Sequence, residues 1–314
     1  MRQADMTVAI STMERPSALA RCIRALLDGD TLPAELVIID QSTDDATERV
    51  VRQVASSHTA SSAVRVGYVR QPRLGLAASR NAAIAASTRP IVAFTDDDCV
   101  PDADWLTAIT STFETDQNVD VVTGRILPLG PEQPGLHAVS LRPSCMPMRF
   151  GGRSLPWVVG SGANVAVKRE WLKHVGGFDE RLGVGSPGLA AEDMDFLYRL
   201  VAAHATVQYE PRAVMFHERK HQSGWLARRT SYSFGMGAFC GLWLRRHDPY
   251  AYWILARWCA DRAVSLAIGC AKLRWPRAAG ELHMLRCAAS GITYGWRCEG
   301  SEMRCEAALA ECQR

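Results

Sequence analysis

The chain has 314 residues, of which 47% are hydrophobic and 22% are charged, proportions that are ordinary for a globular protein with a full core. The formal net charge of +3 implies no particular partner. No run of about 18 uninterrupted apolar residues predicts a spanning helix. The polar start predicts no signal peptide, and ten scattered cysteines without CxxC pairs argue against a disulfide framework. We therefore expect a cytoplasmic protein of about two domains with reduced thiols.

Apolar, β-branched runs alternate with helical patterns through the first two hundred residues. Predicted strands are Val8–Ile10, Leu36–Ile39, Val64–Val69, Ile91–Phe94, Val119–Gly124, Asn164–Val167, Ala205–Tyr209 and Ala213–Phe216. Helices are predicted from Pro16 to Leu27, Gly75 to Ser87, Asp102 to Phe113, Arg169 to Val175 and Ala191 to His204. Strands separated by helices of this length are typical of βαβ units. The pattern predicts an α/β fold with a mostly parallel sheet.

Three consecutive carboxylates follow the fourth predicted strand. Asp96, Asp97 and Asp98 come directly after the buried run Ile91–Phe94, and ligands of open α/β sheets bind at the carboxyl ends of strands. Adjacent anions repel one another and call for a compensating cation. Mg²⁺ and Mn²⁺ prefer such oxygen ligands and often bridge carboxylates to a diphosphate. A solvated acidic turn is the alternative reading.

Two later regions differ from this alternation. The segment Leu127–Arg153 contains five prolines and no clear period, which is typical of a functional or mobile loop. From Gly224 onward the chain predicts helices rich in Trp and Arg, and Tyr250–Trp275 fits an amphipathic helix pair. From Arg219 to Arg286 there are twelve Lys/Arg against three Asp/Glu. We expect one domain over residues 1–222 and a helical region over 223–314.

Eight motifs occur in an order that resembles the family 2 glycosyltransferases, which have the GT-A fold, invert the anomeric centre and use nucleotide sugars. They are Val8-Ala-Ile-Ser-Thr12 with Arg15, Val37-Ile-Ile-Asp-Gln-Ser-Thr-Asp44, Gly75 to Asn81, Phe94-Thr-Asp-Asp-Asp98, Gly160-Ser-Gly-Ala-Asn164, Gly176-Gly-Phe-Asp-Glu180, Glu192-Asp193 and His217. The resemblance extends from about Met6 to Lys220. It implies a Rossmann-like GT-A sheet, and the last ninety-odd residues carry no comparably specific motif.

The resemblance implies a metal site that holds Mn²⁺ or Mg²⁺. Asp98 resembles the last residue of the family's Asp-X-Asp motif, and His217 resembles the histidine that reaches the same metal. Asp96 and Asp97 look like partners that complete the metal shell and hold the ribose. Such a metal neutralises charge on the departing diphosphate. A structural histidine after a strand is the alternative for His217.

Further residues would bind the nucleotide sugar. Ser11, Thr12, Asp40 and Gln41 leave the first two strands, where they can rim a nucleobase pocket; an N-cap of the next helix is the alternative for Asp40. The family more often has an acid where Gln41 stands. The remaining donor-side residues implied by the resemblance are Arg15, Arg80, Gly162, Asn164 and Glu192. Arg80 would steer the phosphates or hold the acidic motif together, or be an ordinary surface arginine.

Asp193 is the candidate general base. Inverting transfer is a single in-line displacement, so one carboxylate must take the proton of the acceptor hydroxyl. Asp193 lies in the first turn of a predicted helix, where the dipole favours an ionised carboxylate. Charge compensation of that helix is the alternative, and Asp195 is not expected to be the base.

The sequence thus predicts a metal-dependent inverting glycosyltransferase of carbohydrate biosynthesis. UDP-sugars are favoured as donors over GDP- and dTDP-sugars, and the acceptor would be the hydroxyl of a glycan, a lipid-linked glycan or a small natural product. No nucleic-acid partner is expected, while contact of the C-terminal helices with a membrane or a second copy stays open. The rivals are a non-catalytic binding protein of the same fold and a sugar-1-phosphate nucleotidyltransferase. The segment Ser11–Pro16 lacks the glycine-rich phosphate loop expected of the latter.

Overall fold

The computed structural model describes residues 2–59 and 64–298. The strands are β1 (Arg2–Thr12), β2 (Thr31–Asp40), β3 (Arg65–Arg70), β4 (Ile91–Asp96), β5 (Cys99–Pro101), β6 (Val121–Pro128), β7 (Leu136–His137), β8 (Met148–Phe150), β9 (Val165–Lys168), β10 (Val207–His217) and β11 (Lys220–His221). The helices are α1 (Pro16–Leu27), α2 (Ala46–Thr59), α3 (Leu76–Ala86), α4 (Trp105–Thr115), α5 (Pro156–Val159), α6 (Arg169–Val175), α7 (Glu192–Ala202), α8 (Trp225–Arg245), α9 (Pro249–Ala271) and α10 (Trp275–Arg297).

A nine-stranded sheet forms the centre of the fold, with the strand order β3-β2-β1-β4-β9-β6-β10-β5 and with β8 beside β10. Strands β1, β2, β3, β4, β6 and β10 share one direction, whereas β5, β8 and β9 run antiparallel to their neighbours. Because six of these nine strands are parallel, the predicted α/β fold with a mostly parallel sheet is confirmed.

Side chains along the central strands point alternately to the two faces of the sheet and form an apolar layer on each face. In β2, Leu36 and Ile38 belong to one buried cluster, and Val37 and Ile39 belong to the other. Helices α1, α2 and α4 cover the first face of the sheet, while α3, α6 and part of α7 cover the second. A sheet buried on both faces explains why these strands read as continuous apolar runs.

Two element predictions were wrong in detail. The two strands predicted around Pro211 are one strand, β10, whose pairing with β6 shifts between Glu210 and Val214. Proline has no N–H to donate, so it interrupts the ladder locally without ending the strand. The helix pair predicted over Tyr250–Trp275 is the single helix α9, and Trp275 begins α10.

The described chain forms two compact units. Unit 1 comprises residues 2–178 and 196–222 and contains the sheet; unit 2 comprises residues 179–195 and 223–298 and contains α8, α9 and α10. The sequence places one boundary at residue 222, whereas the structure also groups residues 179–195 with the C-terminal helices.

Close helix packing characterises unit 2. A Cβ atom added at Gly237 or Gly241 of α8 would overlap a backbone carbonyl oxygen of α10. The reverse holds for Gly291 and Gly295 of α10, which meet carbonyl oxygens of α8. Glycine therefore allows the two helix backbones to approach closely at both pairs of positions.

Candidate functional site

The triple aspartate lies at the turn between β4 and β5. Asp96 ends β4 and pairs with Ser11 of β1, and β5 begins at Cys99. Strand β5 then pairs antiparallel with β10, in a register that places Cys99 opposite His217. The backbone N–H of Glu218 also donates to the carbonyl of Asp98 at 2.9 Å. This register brings a histidine from more than a hundred residues away beside the acids.

Four side chains of this turn can reach one ion. The candidate ligand atoms of Asp96, Asp98, Cys99 and His217 all lie within 4.8 Å of one another. Nε2 of His217 is 3.7 Å from Oδ1 of Asp98. Its Nδ1 is 2.9 Å from the carbonyl oxygen of Glu218, which can only accept a hydrogen bond, so Nδ1–H is the donor in this bond. Metal-ligating histidines commonly have this arrangement.

The chemistry of the cluster fits a hard divalent cation. Burial raises the pKa of Cys99 well above its usual range, and Asp96 and Asp98 add to this effect. A neutral thiol is a poor ligand for Mg²⁺ or Mn²⁺, which prefer carboxylate oxygens. Asp96, Asp98 and His217 are therefore the side chains that would hold the ion, and metal binding by them stays a prediction.

Cations of the chain already surround the acids. Nη1 of Arg15 lies 3.1 Å from Oδ1 of Asp97 and 3.1 Å from Oδ2 of Asp98, and Lys220 donates to the same oxygen of Asp98. Burial alone would raise the pKa of Asp98, but His217, Lys220 and Arg15 outweigh it and hold that pKa below its usual value. Burial raises the pKa of Asp97 to about 6 despite Arg15. The acids are thus compensated by cations of the chain itself.

Arg80 holds Asp96 in place. Its side chain is 3% exposed, and Nη2 donates to Oδ1 of Asp96 at 2.9 Å. The guanidinium also lies 5.3 Å from the ring centroid of Phe178. A Cβ at Gly162 would be 2.6 Å from Nη1 of Arg80, so the missing side chain of Gly162 makes room for the guanidinium. Of the predicted alternatives for Arg80, these contacts favour the one in which it supports the acidic motif.

The predicted nucleobase residues lie together at the ends of β1 and β2. Thr12 pairs with Asp40 in the sheet, and the N–H of Gln41 donates to the carbonyl of Thr12 at 3.0 Å. Oγ1 of Thr12 donates to Oδ2 of Asp97 at 2.8 Å, which connects these residues to the triple aspartate. Ser11 precedes Thr12 in the same strand and is partly exposed. Base recognition by this group stays a prediction.

Asp40 does not cap the following helix. Its Oδ1 accepts from the N–H of Ser42 at 2.8 Å, and its Oδ2 accepts from the hydroxyl of Tyr68 at 2.7 Å. Helix α2 begins later, at Ala46, whose N–H donates to Asp44. Burial, together with the hydrogen bond to Asp40, raises the pKa of Tyr68 to about 12. Tyr68 is a neighbour of the predicted base pocket that the sequence did not indicate.

The side-chain amide of Asn164 is buried and forms hydrogen bonds with three other residues. The side chain is 1% exposed and accepts from Nε1 of Trp105 at 2.8 Å. Its Nδ2 donates to the carbonyls of Arg125 and Ala213 at 3.0 and 2.9 Å. These bonds join β6, β10 and α4 through one amide, and contact of Asn164 with a donor sugar stays a prediction.

The predicted base belongs to unit 2. Glu192 and Asp193 begin α7, as the sequence predicts, and Oδ1 of Asp193 accepts from the N–H of Met194 at 2.8 Å. Asp193 is partly exposed and Glu192 is buried. Ala191, directly before them, has φ of 76°, a left-handed conformation that costs a residue with a Cβ about 1 kcal/mol. Asp195 is buried and accepts from Nε1 of Trp243 at 2.8 Å.

Two members of the cluster were missed by sequence reasoning. Cys99 directly follows the acids, and Lys220 follows His217 by three residues. The residue pattern does not indicate that Lys220 contacts these carboxylates, because that contact depends on the register between distant segments. Every cysteine in the two described ranges is a free thiol, as predicted. Within the same ranges, none of the helices is both long and apolar enough to cross a membrane.

Comparison with known proteins identifies the family. The model of glycosyl transferase family 2 matches residues 7–176, about half of the chain, and the chain belongs to this family. The predicted resemblance is therefore confirmed, and the matched segment contains the triple aspartate, Arg80 and Asn164.

The relatives and solved structures are similar over larger parts of the chain. The pre-mycofactocin glycosyltransferase of Mycobacterium tuberculosis is 27% identical over 274 residues, covering 84% of this chain and 53% of the relative. The glucosyl-dolichyl phosphate glucuronosyltransferase of Haloferax volcanii is 23% identical, covering 58% of this chain and 57% of the relative. The chain spans about half the length of these curated relatives.

Solved structures share the fold. A mannosyltransferase from Pyrobaculum calidifontis, in complex with GDP-Man and Mn²⁺, has a TM-score of 0.60 at 20% identity and covers 94% of this chain and 88% of its own. The structure of GalNAc-T7 with UDP, GalNAc and Mn²⁺ has a TM-score of 0.53 at 17% identity, covering 70% of this chain and 44% of its own. The GT-A fold predicted from the sequence is confirmed.

Proposed function

We propose that this protein transfers a sugar from a nucleotide-diphosphate sugar to an acceptor hydroxyl by metal-assisted, inverting single displacement. The observation that carries the proposal is the convergence of Asp96, Asp98 and His217 within 4.8 Å of one another in a chain of glycosyl transferase family 2. When bound there, Mn²⁺ or Mg²⁺ would neutralise negative charge on the leaving diphosphate.

Other residues of the chain would bind the nucleoside and the diphosphate of the donor. Thr12, Asp40 and Gln41 would bind the nucleoside at the ends of β1 and β2, where their hydrogen bonds already fix their orientation. Arg15 and Lys220 would bind the diphosphate, because their charged groups lie at Asp97 and Asp98 and remain partly exposed. Fixed cations at a developing anion require little reorganisation during the reaction.

A UDP-sugar is the donor we favour, with GDP- and dTDP-sugars as alternatives. Solved structures of the same fold contain either GDP-Man or UDP, each with Mn²⁺. The acceptor would be a glycan, a lipid-linked glycan or a small natural product, the classes that the names of the relatives span.

Asp193 would take the proton of the acceptor hydroxyl. Its position in the first turn of α7 places it at the positive end of the helix dipole, and its partial exposure leaves it accessible. Asp195 is less suited, since it is 2% exposed and bonded to the indole of Trp243. Transfer by Asp193→Asn should fall by about 10²–10⁴ with little change in donor affinity.

The decisive experiment measures metal-dependent binding before turnover. UDP, GDP and dTDP are each added with Mn²⁺, with Mg²⁺ or with a chelator, and thermal unfolding is followed. A nucleotide at a hundred times its Kd should stabilise the protein by about 2.7 kcal/mol. Asp98→Asn should lose the metal-dependent part, whereas Asp5→Asn, an exposed control, should retain it.

Transfer assays then separate the rivals. Metal-dependent binding with no transfer to any acceptor, and no donor hydrolysis, would favour a binding protein of this fold. Absence of metal-dependent nucleotide binding altogether would contradict the proposed function.

A further inference from the structure

Helix α9 exposes most of its surface. Of its 23 residues, only Ala251, Ile254 and Gly269 are buried. Trp253, Val264 and Ile268 are 49%, 60% and 40% exposed, and their spacing of eleven and four residues places them on one side of a helix. We call this side the outer face of α9. It is an apolar stripe interrupted by one ion pair, between Arg257 and Asp261.

The outer face leads into a basic, aromatic segment formed by the α9–α10 connection and the first turn of α10, which we call the basic tip and define as Lys272–Arg277. All six residues are exposed, including Leu273 at 72% and Trp275 at 62%. Lys272, Arg274 and Arg277 form no ion pair with any residue of the described ranges. No acid occurs between Asp261 and Glu281, and Glu281 is buried between Arg229 and Arg262.

Leu273 occupies a backbone position that suits glycine. Its φ is 52°, and the N–H of Arg274 donates to the carbonyl of Gly269 at 2.8 Å, the bond that closes a helix C-terminus when a left-handed residue follows. A leucine there costs about 1 kcal/mol relative to glycine. It is also the most exposed large apolar side chain of the described chain. This exposed apolar side chain is available to an external partner.

We propose that the basic tip and the outer face of α9 dock this protein on an anionic phospholipid surface. Cations that have no acid partner among the described residues attract anionic headgroups, and each contributes about fivefold to membrane partitioning. Trp275 can lie at headgroup depth while Leu273 enters the acyl region, as in helices that lie in the plane of an interface. A second copy is a poorer occupant, because a two-fold contact would place three cations against three others. The inference does not depend on transfer chemistry.

Vesicle sedimentation of the full chain tests the proposal. The protein should bind vesicles of phosphatidylcholine mixed with phosphatidylglycerol, not phosphatidylcholine alone, and the binding should weaken as salt screens the charges. The triple variant Lys272→Gln, Arg274→Gln and Arg277→Gln should lose roughly 100-fold in partitioning.

Two matched variants make the result specific. The control triple Arg24→Gln, Arg49→Gln and Lys173→Gln removes three exposed cations of unit 1, so both triples lower the formal net charge from +3 to zero. The control should bind vesicles as the native protein does.

Leu273→Gly separates folding from docking. It relieves the left-handed strain, so thermal stability should hold or rise, yet loss of the apolar side chain should weaken vesicle binding by about tenfold. No binding to anionic vesicles, or an equal loss in the control triple, would overturn the proposal. A concentration-dependent dimer that Trp275→Ser dissociates, without vesicle binding, would instead assign the surface to a second copy.

Discussion

Lys220 should compete with the metal for Asp98. Its ammonium donates to Oδ2 of Asp98, while Oδ1 faces His217 at 3.7 Å. A divalent cation bound to Asp98 would share this carboxylate with the ammonium or displace it. Lys220→Met keeps the length and the apolar stem of the side chain but removes the charge. We therefore expect Lys220→Met to bind Mn²⁺ alone more tightly than the native protein does.

The size of the effect follows from charge and burial. Two unit charges near 4 Å apart interact by about 4 kcal/mol at an effective dielectric constant of about 20. Lys220 is 25% exposed and Asp98 is 7% exposed, so solvent screening and the ordering of the lysine side chain reduce the net value to about 1–2 kcal/mol. The Kd for Mn²⁺ should therefore fall by about 5- to 30-fold. Affinity for a nucleoside diphosphate without metal should fall, because the diphosphate loses a cation.

Titration calorimetry measures both affinities. Lys173→Met is the control, since Lys173 is exposed in the same unit and its loss changes net charge equally; both of its affinities should stay near the native values. An unchanged or weaker Mn²⁺ affinity in Lys220→Met would refute the reasoning, because it would mean that the ammonium does not oppose the metal.

Two further predictions concern stability. Burial opposes ionisation of Glu35, but hydrogen bonds from Thr7 and Thr88 lower its pKa. The ionised carboxylate therefore stabilises the folded protein fully above about pH 4.5, and this contribution is lost as the pH falls through the lowered pKa. Glu35→Gln should lower the free energy of unfolding by about 1–2 kcal/mol at pH 7, measured by urea unfolding, and a loss that does not depend on pH would contradict this. Gly291→Ala should destabilise by about 1–3 kcal/mol, because the new Cβ would overlap the carbonyl of Phe234. Gly280→Ala in the same helix meets no atom within 4 Å and should stabilise by about 0.5–1 kcal/mol; equal effects of the two in thermal unfolding would count against close packing.

The fold could be predicted because its signals are local. Buried strands of a parallel sheet are continuous apolar runs, and helices between them show a 3.6-residue period. The details that failed are not local. Pro211 predicts a break in the strand, but pairing with β6 on both sides of it maintains β10. The length of α9 was underestimated because an exposed helix with apolar residues on several sides has no clear period.

The site was predictable where chemistry and chain position coincide. Asp96 and Asp98 follow a buried strand, so the sheet alone places them at its edge. The contacts of Arg80 and Lys220 depend on packing and register between distant segments, which residue types do not reveal. Sequence reasoning therefore expected the acids and His217 to lie together but left open which cation contacts which acid, and the roles of these residues stay predictions.

Charge balance at this site implies that metal and donor bind together. Three carboxylates, Asp96, Asp97 and Asp98, are matched by three cations, Arg15, Arg80 and Lys220, each paired with an acid of the group. A divalent cation alone would add about two positive charges to this neutral cluster, and the diphosphate of a nucleotide sugar alone would add about two negative ones; bound together, they restore neutrality. Mn²⁺ should therefore tighten nucleotide-sugar binding by about 5- to 150-fold, and the nucleotide sugar must tighten Mn²⁺ binding by the same factor. Calorimetric titrations in both orders measure the two factors, and in Lys220→Met, where Mn²⁺ alone should bind more tightly and the nucleotide sugar alone more weakly, the two factors should still equal each other. Independent binding of the two ligands would show that the cations of the chain do not govern the site.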